Sequence, residues 1–285
     1  GPMFKAEMYT YVEVYLDRLP YGYLEGYVYD KVTGEPIAGA KVVVEDTPLV
    51  LTTDESGYFS HWLPVGNYTV TISAAGYATE SYSVAIYENE TTSIEAHLKR
   101  IPRIAIMYDY ASQIKTLIEE TLGWYAVDYS DYEQLLNDLQ TGFYDVAIFA
   151  GYYDVPLPDK STMDAILETA EELGIGLVFL DNYGNYGYGI NILHTLYNDP
   201  AQRDYSWGDG YVYVKIIEPH PIFKGWNVGD TIVITYASDA DYSWFGEFNG
   251  TTIALVGSEE RGIVGDGIAY RITESGNKWI LMAAM

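Results

Sequence analysis

Residues 53–70 read TDESGYFSHWLPVGNYTV and contain two short strand-like runs, each entered through a turn that holds a glycine. The runs are residues 58–62 and 68–74, the second of which continues past the quoted stretch, and the turns are Glu55-Ser56-Gly57 and Val65-Gly66-Asn67. Glycine supplies the positive φ angles that tight turns of this kind require. Two strands separated by glycine turns within so short a stretch indicate an antiparallel β fold.

The same pattern extends in both directions along the first third of the chain. Further glycine turns fall at Thr33-Gly34, Ile37-Ala38-Gly39 and Ala75-Gly76-Tyr77. Short, evenly spaced strands with a glycine in nearly every turn are typical of a β-sandwich. The other predicted strands cover residues 24–29, 41–45, 81–86 and 92–98.

The turn motifs also follow one another in a recognisable order. They are Gly26-Tyr27-Val28-Tyr29-Asp30, then residues 33–40, 53–59, 63–70 and 75–77. Together they resemble the carboxypeptidase regulatory-like family, whose fold is a transthyretin-like β-sandwich. The resemblance implies a non-catalytic domain that serves as a spacer, a folding aid or an adhesive module in secreted and surface proteins.

Two aspartates stand at turns of this predicted sandwich, Asp30 and Asp54. A short carboxylate side chain in a turn can accept hydrogen bonds from nearby backbone N–H groups. We therefore expect both aspartates to stabilise turns rather than to bind a ligand. His61 and His97 are isolated on strand patterns, and we expect them to be packing or surface residues.

A separate alternating segment precedes the sandwich at residues 6–16, with apolar side chains on one face and mainly tyrosine on the other. Period two of this length predicts a half-buried strand. Gly1-Pro2 before Met3 is typical of a protease-cleavage scar, so we expect a chain cut from a longer protein. The predicted organisation is a scar with this leading strand at residues 1–21, the sandwich at 22–100 and a second domain at 101–285.

Composition narrows the functional classes. Forty-one acidic and fifteen basic residues give a formal charge of −26, which disfavours nucleic acid and anionic lipids as partners. No apolar run approaches the ~18 residues needed to span a bilayer, so direct membrane insertion is not expected. The chain has no cysteine, so a disulfide, a zinc–thiolate site and a thiol nucleophile are excluded. Its 30 tyrosines favour an exterior or interaction role, because tyrosine buries a ring while keeping a hydroxyl in water.

After Pro102 the periodicity changes. Buried strand patterns at residues 103–108, 124–127, 145–149 and 175–180 alternate with helical patterns at 112–122, 131–139 and 160–173. Such alternation predicts a doubly wound, flavodoxin-like parallel sheet. Strand patterns then dominate at residues 211–217, 231–235, 252–256, 267–272 and 278–282, so the domain is predicted to be α/β with a β-rich second half.

The order of these elements, with residues 220–226 (HPIFKGW) and the closing residues 276–281 (GNKWIL), resembles the class I glutamine-amidotransferase-like superfamily, closest to its trehalose-utilisation-like branch. Catalytic members carry a nucleophilic cysteine at the turn after the fourth strand and a histidine near the end. Here that turn opens with Asp181-Asn182-Tyr183, and no histidine follows His220. The resemblance therefore implies a domain without its catalytic nucleophile and late base.

An enzymatic alternative stays open in this domain. Ligands of such sheets bind beyond the carboxyl ends of the strands. Asp109, Asp181, Glu218 and His220 could form a carboxylate and histidine cluster there, able to bind a metal or to perform acid–base hydrolysis. The competing interpretation is that Asp181 caps a helix and that His220 stands in a turn after a strand.

A short repeat offers a binding site instead. Residues 204–207 and 241–244 both read DYSW, in predicted loops. Exposed aromatic rings beside carboxylates are typical of ligand-binding sites, so these loops could stack sugar rings, or their tryptophans could fill gaps against the sheet. The candidate ligand-binding residues are Tyr205, Trp207, Tyr242, Trp244, Tyr152 and Tyr183.

Asn67, Asn89 and Asn249 begin Asn-X-Thr sequences in predicted turns and are candidate glycosylation sites. No organic cofactor is predicted, and a structural cation is the only cofactor that the acidic composition leaves open.

Three functional hypotheses result. The first is a non-catalytic extracellular or cell-surface module that binds glycans or other surface proteins. The second is a hydrolase or amidotransferase-like enzyme that uses the Asp181 and His220 neighbourhood. The third is a structural repeat unit of a surface layer or filament.

Overall fold

The structure is a computed structural model that describes residue 13 and residues 19–109, 112–151, 155–181, 189–206, 210–235 and 242–283. The chain divides into two compact units, residues 1–101 and residues 102–285. The predicted leading strand at residues 6–16 lies outside the described residues, apart from Glu13. None of the helices in the described part of the chain is long and apolar enough to cross a membrane.

The described part of the first unit has seven strands: β1 (Tyr21–Asp30), β2 (Lys41–Val44), β3 (Val50–Thr52), β4 (Tyr58–Pro64), β5 (Gly66–Ser73), β6 (Glu80–Ile86) and β7 (Thr91–Leu98). They form a three-stranded sheet in the order β4–β1–β7 and a four-stranded sheet in the order β3–β2–β5–β6. In the first sheet β1 is antiparallel to β4 and parallel to β7. All six predicted strands are present, and the short β3 is one that the sequence pattern did not reveal.

The two sheets of the first unit share one apolar core. Leu24, Val28 and Phe59 reach it from the three-stranded sheet, and residues such as Val42 and Ile72 reach it from the other. Gly26 occupies an inward position where a Cβ would stand 2.6 Å from the Phe59 ring of the neighbouring strand, so a larger residue would collide with that ring. Alternation along β1 therefore gives this strand a core face and an outer face.

Asp30 stabilises a turn, as predicted. Its Oδ1 accepts the N–H groups of Val32 at 2.7 Å and Thr33 at 3.0 Å, and the Tyr77 hydroxyl donates to its Oδ2 at 3.0 Å. These contacts, led by the Thr33 N–H, outweigh burial and lower the pKa of Asp30.

Asp54 and the two isolated histidines also match expectation. Asp54 Oδ1 accepts the Tyr58 N–H at 2.9 Å and so closes the turn before β4. His61 and His97 are exposed, and His97 Nε2 lies 2.8 Å from Glu95 Oε1.

The second unit combines helices and strands. Its helices are α1 (Gln113–Leu117), which continues into a π-helical turn at Ile118–Leu122, α2 (Tyr132–Leu139), α3 (Lys160–Leu173) and α4 (Gly189–Tyr197). Its strands are β8 (Arg103–Met107), β9 (Tyr125–Tyr129), β10 (Val146–Phe149), β11 (Gly176–Leu180), β12 (Gln202–Ser206), β13 (Val212–Ile216), β14 (Thr231–Thr235), β15 (Tyr242–Gly246), β16 (Thr251–Ser258), β17 (Gly262–Ile272) and β18 (Lys278–Met282).

One mixed sheet runs through the second unit in the order β14–β13–β16–β17–β18–β11–β10–β8–β9. The five strands from β18 to β9 are parallel, and the four from β17 to β14 continue the sheet in antiparallel pairings. Helices α2, α3 and α4 contribute to one apolar cluster, while Ile118 of the π-helical turn contributes to a separate cluster. This arrangement agrees with the predicted alternation and with the β-rich second half.

Two strands of the second unit occupy segments that were predicted to be loops. β12 and β15 pair with each other in antiparallel fashion, and β15 also pairs with β17. Residues 204–206 of the first DYSW repeat and residues 242–244 of the second therefore lie in regular strands and not in loops.

Candidate functional site

The carboxylate of Asp109 is used inside the fold. Asp109 follows β8 and is buried, and its two oxygens accept the N–H groups of Ile114 at 2.9 Å and Lys115 at 2.6 Å. A carboxylate bound to the first N–H groups of a helix stabilises that helix start. Asp109 is therefore placed as a cap of α1.

Asp181 follows β11 and is only 1% exposed. Arg203 on β12 holds it in a buried ion pair, with Nε 2.5 Å from Oδ2, and the Ser243 hydroxyl donates to the Asp181 carbonyl oxygen at 3.1 Å. Burial raises the pKa of Asp181, and Arg203 opposes that rise. Arg203 was not among the sequence-predicted site residues, because it lies 22 positions beyond Asp181, on a strand that was predicted to be a loop.

His220 occupies a different part of the second unit. Its Nδ1 accepts the Ile222 N–H at 3.3 Å, and its ring lies 4.8 Å from the Tyr270 ring. Burial lowers the pKa of His220. His220 therefore caps the 3₁₀ turn at Pro221–Phe223, as the structural interpretation expected.

The predicted catalytic cluster is not assembled. Tyr270, the neighbour of His220, pairs with Ile280 and through it with Val178, whereas Asp181 lies three residues beyond Val178 at the carboxyl end of β11. Glu218 is exposed, and neither Asp109 nor Asp181 has His220 as a hydrogen-bond partner in the described structure. The sheet register separates residues that the sequence pattern had grouped.

The predicted aromatic platform is also wrong in part. Asp204 pairs with Trp244 and Tyr205 with Ser243, so the two repeats lie side by side in β12 and β15. Tyr242 is fully buried, and its hydroxyl donates to Ser258 Oγ at 3.2 Å. A buried ring cannot stack on a sugar, so Tyr242 is excluded as a ligand contact.

Trp244 is half-buried, and its ring packs over Gly265 while Arg261 lies 5.2 Å from the ring centre. This placement agrees with the alternative that the tryptophan fills a gap against the sheet. Tyr205 is partly exposed. Trp207, Tyr152 and Tyr183 lie outside the described residues, so their assignment stays a prediction.

The three candidate glycosylation asparagines are exposed. Asn89 precedes β7 and Asn249 follows β15, whereas Asn67 lies within β5 rather than in a turn. Within the described ranges no group of three or more His, Asp or Glu side chains is placed to hold a metal ion. Glycosylation and a structural cation both stay predictions.

A further site lies on the outer surface of the three-stranded sheet, and we call it the aromatic face. The odd-numbered residues of β1 point outward, as do the residues of β4 and β7 that pair with them. Trp62, Tyr27 and Tyr21 are 56%, 42% and 38% exposed. The outward positions are Tyr21, Tyr23, Glu25, Tyr27, Tyr29, Tyr58, Ser60, Trp62, Pro64, Thr91, Ser93, Glu95 and His97.

The rings of the aromatic face contact one another across the strands. Tyr23 lies 5.0 Å from Trp62, and Tyr27 lies 5.1 Å from Tyr58 and 6.0 Å from Tyr29 between ring centres. Cross-strand aromatic pairs of this spacing stabilise a sheet and hold the rings in place. The face is therefore ordered before any ligand arrives.

Several polar groups of the aromatic face are hydrogen-bonded to each other. The Tyr23 hydroxyl donates to Ser60 Oγ at 2.8 Å. The Tyr58 and Ser93 hydroxyls donate to the two carboxylate oxygens of Glu25, at 3.1 Å and 3.2 Å. These contacts leave carboxylate and aromatic π-surface as the groups that the face presents most strongly.

The sequence contains a signal for this face that the motif analysis did not use. β1 reads YGYLEGYVYD, with tyrosine at four of its five odd positions. Alternation in a strand places such residues on one side of the sheet. An aromatic outer face thus follows from the pattern once β1 is known to lie at the centre of its sheet.

Comparison with known proteins agrees with this fold for the first unit. The model of the carboxypeptidase regulatory-like domain family matches residues 23–99. Bacillopeptidase F of Bacillus subtilis (strain 168) is 35% identical over 85 residues, which is 29% of this chain and 6% of that protein. The chain thus spans only a small part of the curated relative that it matches.

Solved structures with partial similarity include GBS52, the minor pilin of Streptococcus agalactiae, at 21% identity and a TM-score of 0.26 over 30% of this chain and 46% of that one. A type II cohesin–X-dockerin complex from Acetivibrio cellulolyticus shows 27% identity and a TM-score of 0.24 over 28% of this chain and 57% of that one.

The family match identifies residues 23–99 as a carboxypeptidase regulatory-like domain. The amidotransferase-like assignment of residues 101–285 stays a prediction.

Proposed function

We propose that this chain is a non-catalytic module of an extracellular or cell-surface protein and that it binds a partner through the aromatic face. The observation that carries the proposal is the exposed, ordered row of aromatic rings on β1 and β4. Surfaces of soluble proteins seldom leave so many large rings uncovered without a binding role. Tyrosine and tryptophan are also the residue types most enriched where partners bind.

The family of the first unit supports a non-catalytic role. The motif order of residues 26–77 resembles domains that serve as spacers or adhesive modules in secreted and surface proteins, and the family model matches the same region. Adhesion and an exterior location both belong to this proposal.

The second unit gives no support to the enzymatic alternative. Catalysis by a carboxylate and histidine pair needs both groups within hydrogen-bond reach. Asp181 is instead paired with Arg203, and the His220 ring contacts the Tyr270 ring at a tilt. Glycan binding at the β12 and β15 aromatic residues loses support because Tyr242 is buried.

Binding to washed cell envelopes of the organism that encodes the chain tests this proposal. The full chain is incubated with envelopes, and the bound fraction is measured by sedimentation. We expect the double variant Tyr27→Ser and Trp62→Ser to lose about ten-fold in affinity, since it removes the two most central exposed rings.

Trp226→Ser is the matched control, because Trp226 is 50% exposed but lies in the second unit. It should leave envelope binding within about two-fold of the wild type, as expected for a surface change outside the binding site. Equal losses in the control and in the face variant would contradict the proposal.

A further inference from the structure

We propose that the aromatic face binds a cationic polypeptide segment rich in arginine or lysine. This proposal rests on the proposed function, because it names the partner chemistry of the same face.

The charge of the face favours a cation. Its outward positions, all within the described strands, include Glu25 and Glu95 but no lysine or arginine. Arginine and lysine are attracted to the faces of tyrosine and tryptophan rings, and a neighbouring carboxylate strengthens that attraction. The chain as a whole carries a formal charge of −26, which steers cationic ligands towards it.

The hydrogen bonds of the face favour a donor-rich ligand. The hydroxyl groups of Tyr23, Tyr58 and Ser93 each donate a hydrogen bond to an acceptor within the face. Carboxylate and hydroxyl oxygens keep further lone pairs, so the face has more to accept than to donate. A guanidinium group has five donors and no acceptor, whereas a sugar needs both.

The dimensions suit an extended peptide. From Tyr21 to Tyr29 the outward tyrosines follow one strand for eight residues, about 26 Å at ~3.3 Å per residue. An extended segment of similar length can lie along this row with alternate side chains directed at the rings. A decapeptide is therefore a suitable probe.

The test measures binding of a decapeptide of alternating arginine and serine to the full chain by calorimetry at two salt concentrations. The matched probe replaces each arginine by citrulline, which keeps the shape and removes the charge. Cellohexaose is the third probe, because it offers sugar rings without charge. Circular dichroism verifies that every variant is folded.

We expect the arginine peptide to bind and the citrulline peptide to bind at least ten-fold more weakly. Tyr27→Ser with Trp62→Ser should weaken arginine-peptide binding about ten-fold, and Trp226→Ser by less than about two-fold. Glu25→Gln with Glu95→Gln should weaken it about five-fold or more, because both carboxylates belong to the face.

Glu35→Gln with Glu45→Gln removes the same charge from exposed positions outside the face. If this pair weakens binding as much as the Glu25 and Glu95 pair, the peptide responds to net charge alone and the proposal is overturned. Equal binding of the citrulline peptide would overturn it as well.

Two outcomes separate this proposal from the proposed function. Binding of cellohexaose that depends on Trp62, without binding of the arginine peptide, would overturn the cationic partner and keep the face as a binding site. If none of the three probes binds and the Tyr27→Ser, Trp62→Ser variant binds envelopes as well as the wild type does, both the cationic partner and the proposed function are overturned.

Discussion

Strand β1 and strand β15 are both rich in aromatic residues, yet they place their rings in opposite environments. β1 has its even-numbered residues in the core and its tyrosines outward, on a side that leaves Tyr27 42% exposed. β15 is paired on both edges, and Tyr242 and Phe245 are buried while Trp244 is half-buried. The same residue types therefore form a candidate binding surface in one unit and a packed interior in the other.

The difference shows that aromatic residues alone do not identify a binding site. What separates the two strands is whether another layer covers both sides. In β1 the period of two is strict, which predicts one covered and one open face. In β15 buried residues are adjacent in sequence, which is typical of a strand covered on both sides.

The largest effect is expected for Arg203→Ala, which tests whether the β12 and β15 region is a closed interior. The variant leaves the Asp181 carboxylate buried without its counter-charge, and it should lower the free energy of unfolding by about 3–5 kcal/mol. Urea unfolding of the full chain measures the loss, and peptide-resolved hydrogen exchange assigns it to the second unit.

Arg103→Ala is the matched control, because the Arg103–Asp145 pair has side chains that are 20% and 27% exposed rather than buried. Arg103→Ala should lower the free energy of unfolding by about 1 kcal/mol. Equal losses for the two arginines would mean that the Asp181 site is open to water, which would revive it as a ligand site.

The second prediction compares the two tyrosine environments directly. Tyr242→Ala removes a fully buried ring and should cost about 3 kcal/mol, because it leaves a cavity in the core. Tyr27→Ala removes an exposed ring together with its contact to Tyr58 and should lower the free energy of unfolding by about 1 kcal/mol or less. Urea unfolding curves of the two variants give both values, and a large loss for Tyr27→Ala would show that its ring is structural.

Much of the first unit follows from local sequence. Turn glycines and period-two strands predict the sandwich, and the aspartate turns follow from side-chain chemistry at Asp30 and Asp54. β3 was missed because three residues are too few to show a period. The aromatic face was within reach, since the pattern of β1 contains it.

The second unit was harder because its site depends on pairings between distant residues. The contact of Asp181 with Arg203 and the pairing of β12 with β15 join segments that show no strand alternation in sequence. The grouping of Asp181 with His220 failed for the same reason: both follow strands, but the register places them at different levels of the sheet.

The third prediction concerns Asp30, which ends β1 beneath the aromatic face. Asp30→Ala removes the acceptor of two N–H groups and of the Tyr77 hydroxyl, and it should cost about 1–3 kcal/mol at pH 7. Asp30→Asn keeps one acceptor oxygen and should recover part of the loss. Hydrogen exchange of β1 peptides measures the local effect.

The effect of Asp30 should depend on pH in a defined direction. Its pKa is lowered in the folded protein, chiefly by the Thr33 N–H, so the native state binds the proton more weakly than the unfolded state. The stability that Asp30 contributes is therefore present above its ordinary value of 3.8 and is lost as the pH falls through the lowered pKa. A constant difference between wild type and Asp30→Ala from pH 7 to pH 2.5 would contradict this assignment.

The smallest effect is expected for the tyrosine–serine hydrogen bond that each of the two regions contains. Tyr242 donates to Ser258 Oγ in the interior, and Tyr23 donates to Ser60 Oγ on the aromatic face. Ser258→Ala should cost about 1 kcal/mol because water cannot replace the lost acceptor, whereas Ser60→Ala should cost a few tenths of that because water can. Urea unfolding of the two single variants measures the difference; if Ser60→Ala costs as much as Ser258→Ala, the aromatic face is as closed to water as the interior of β15, and the contrast between the two strands fails.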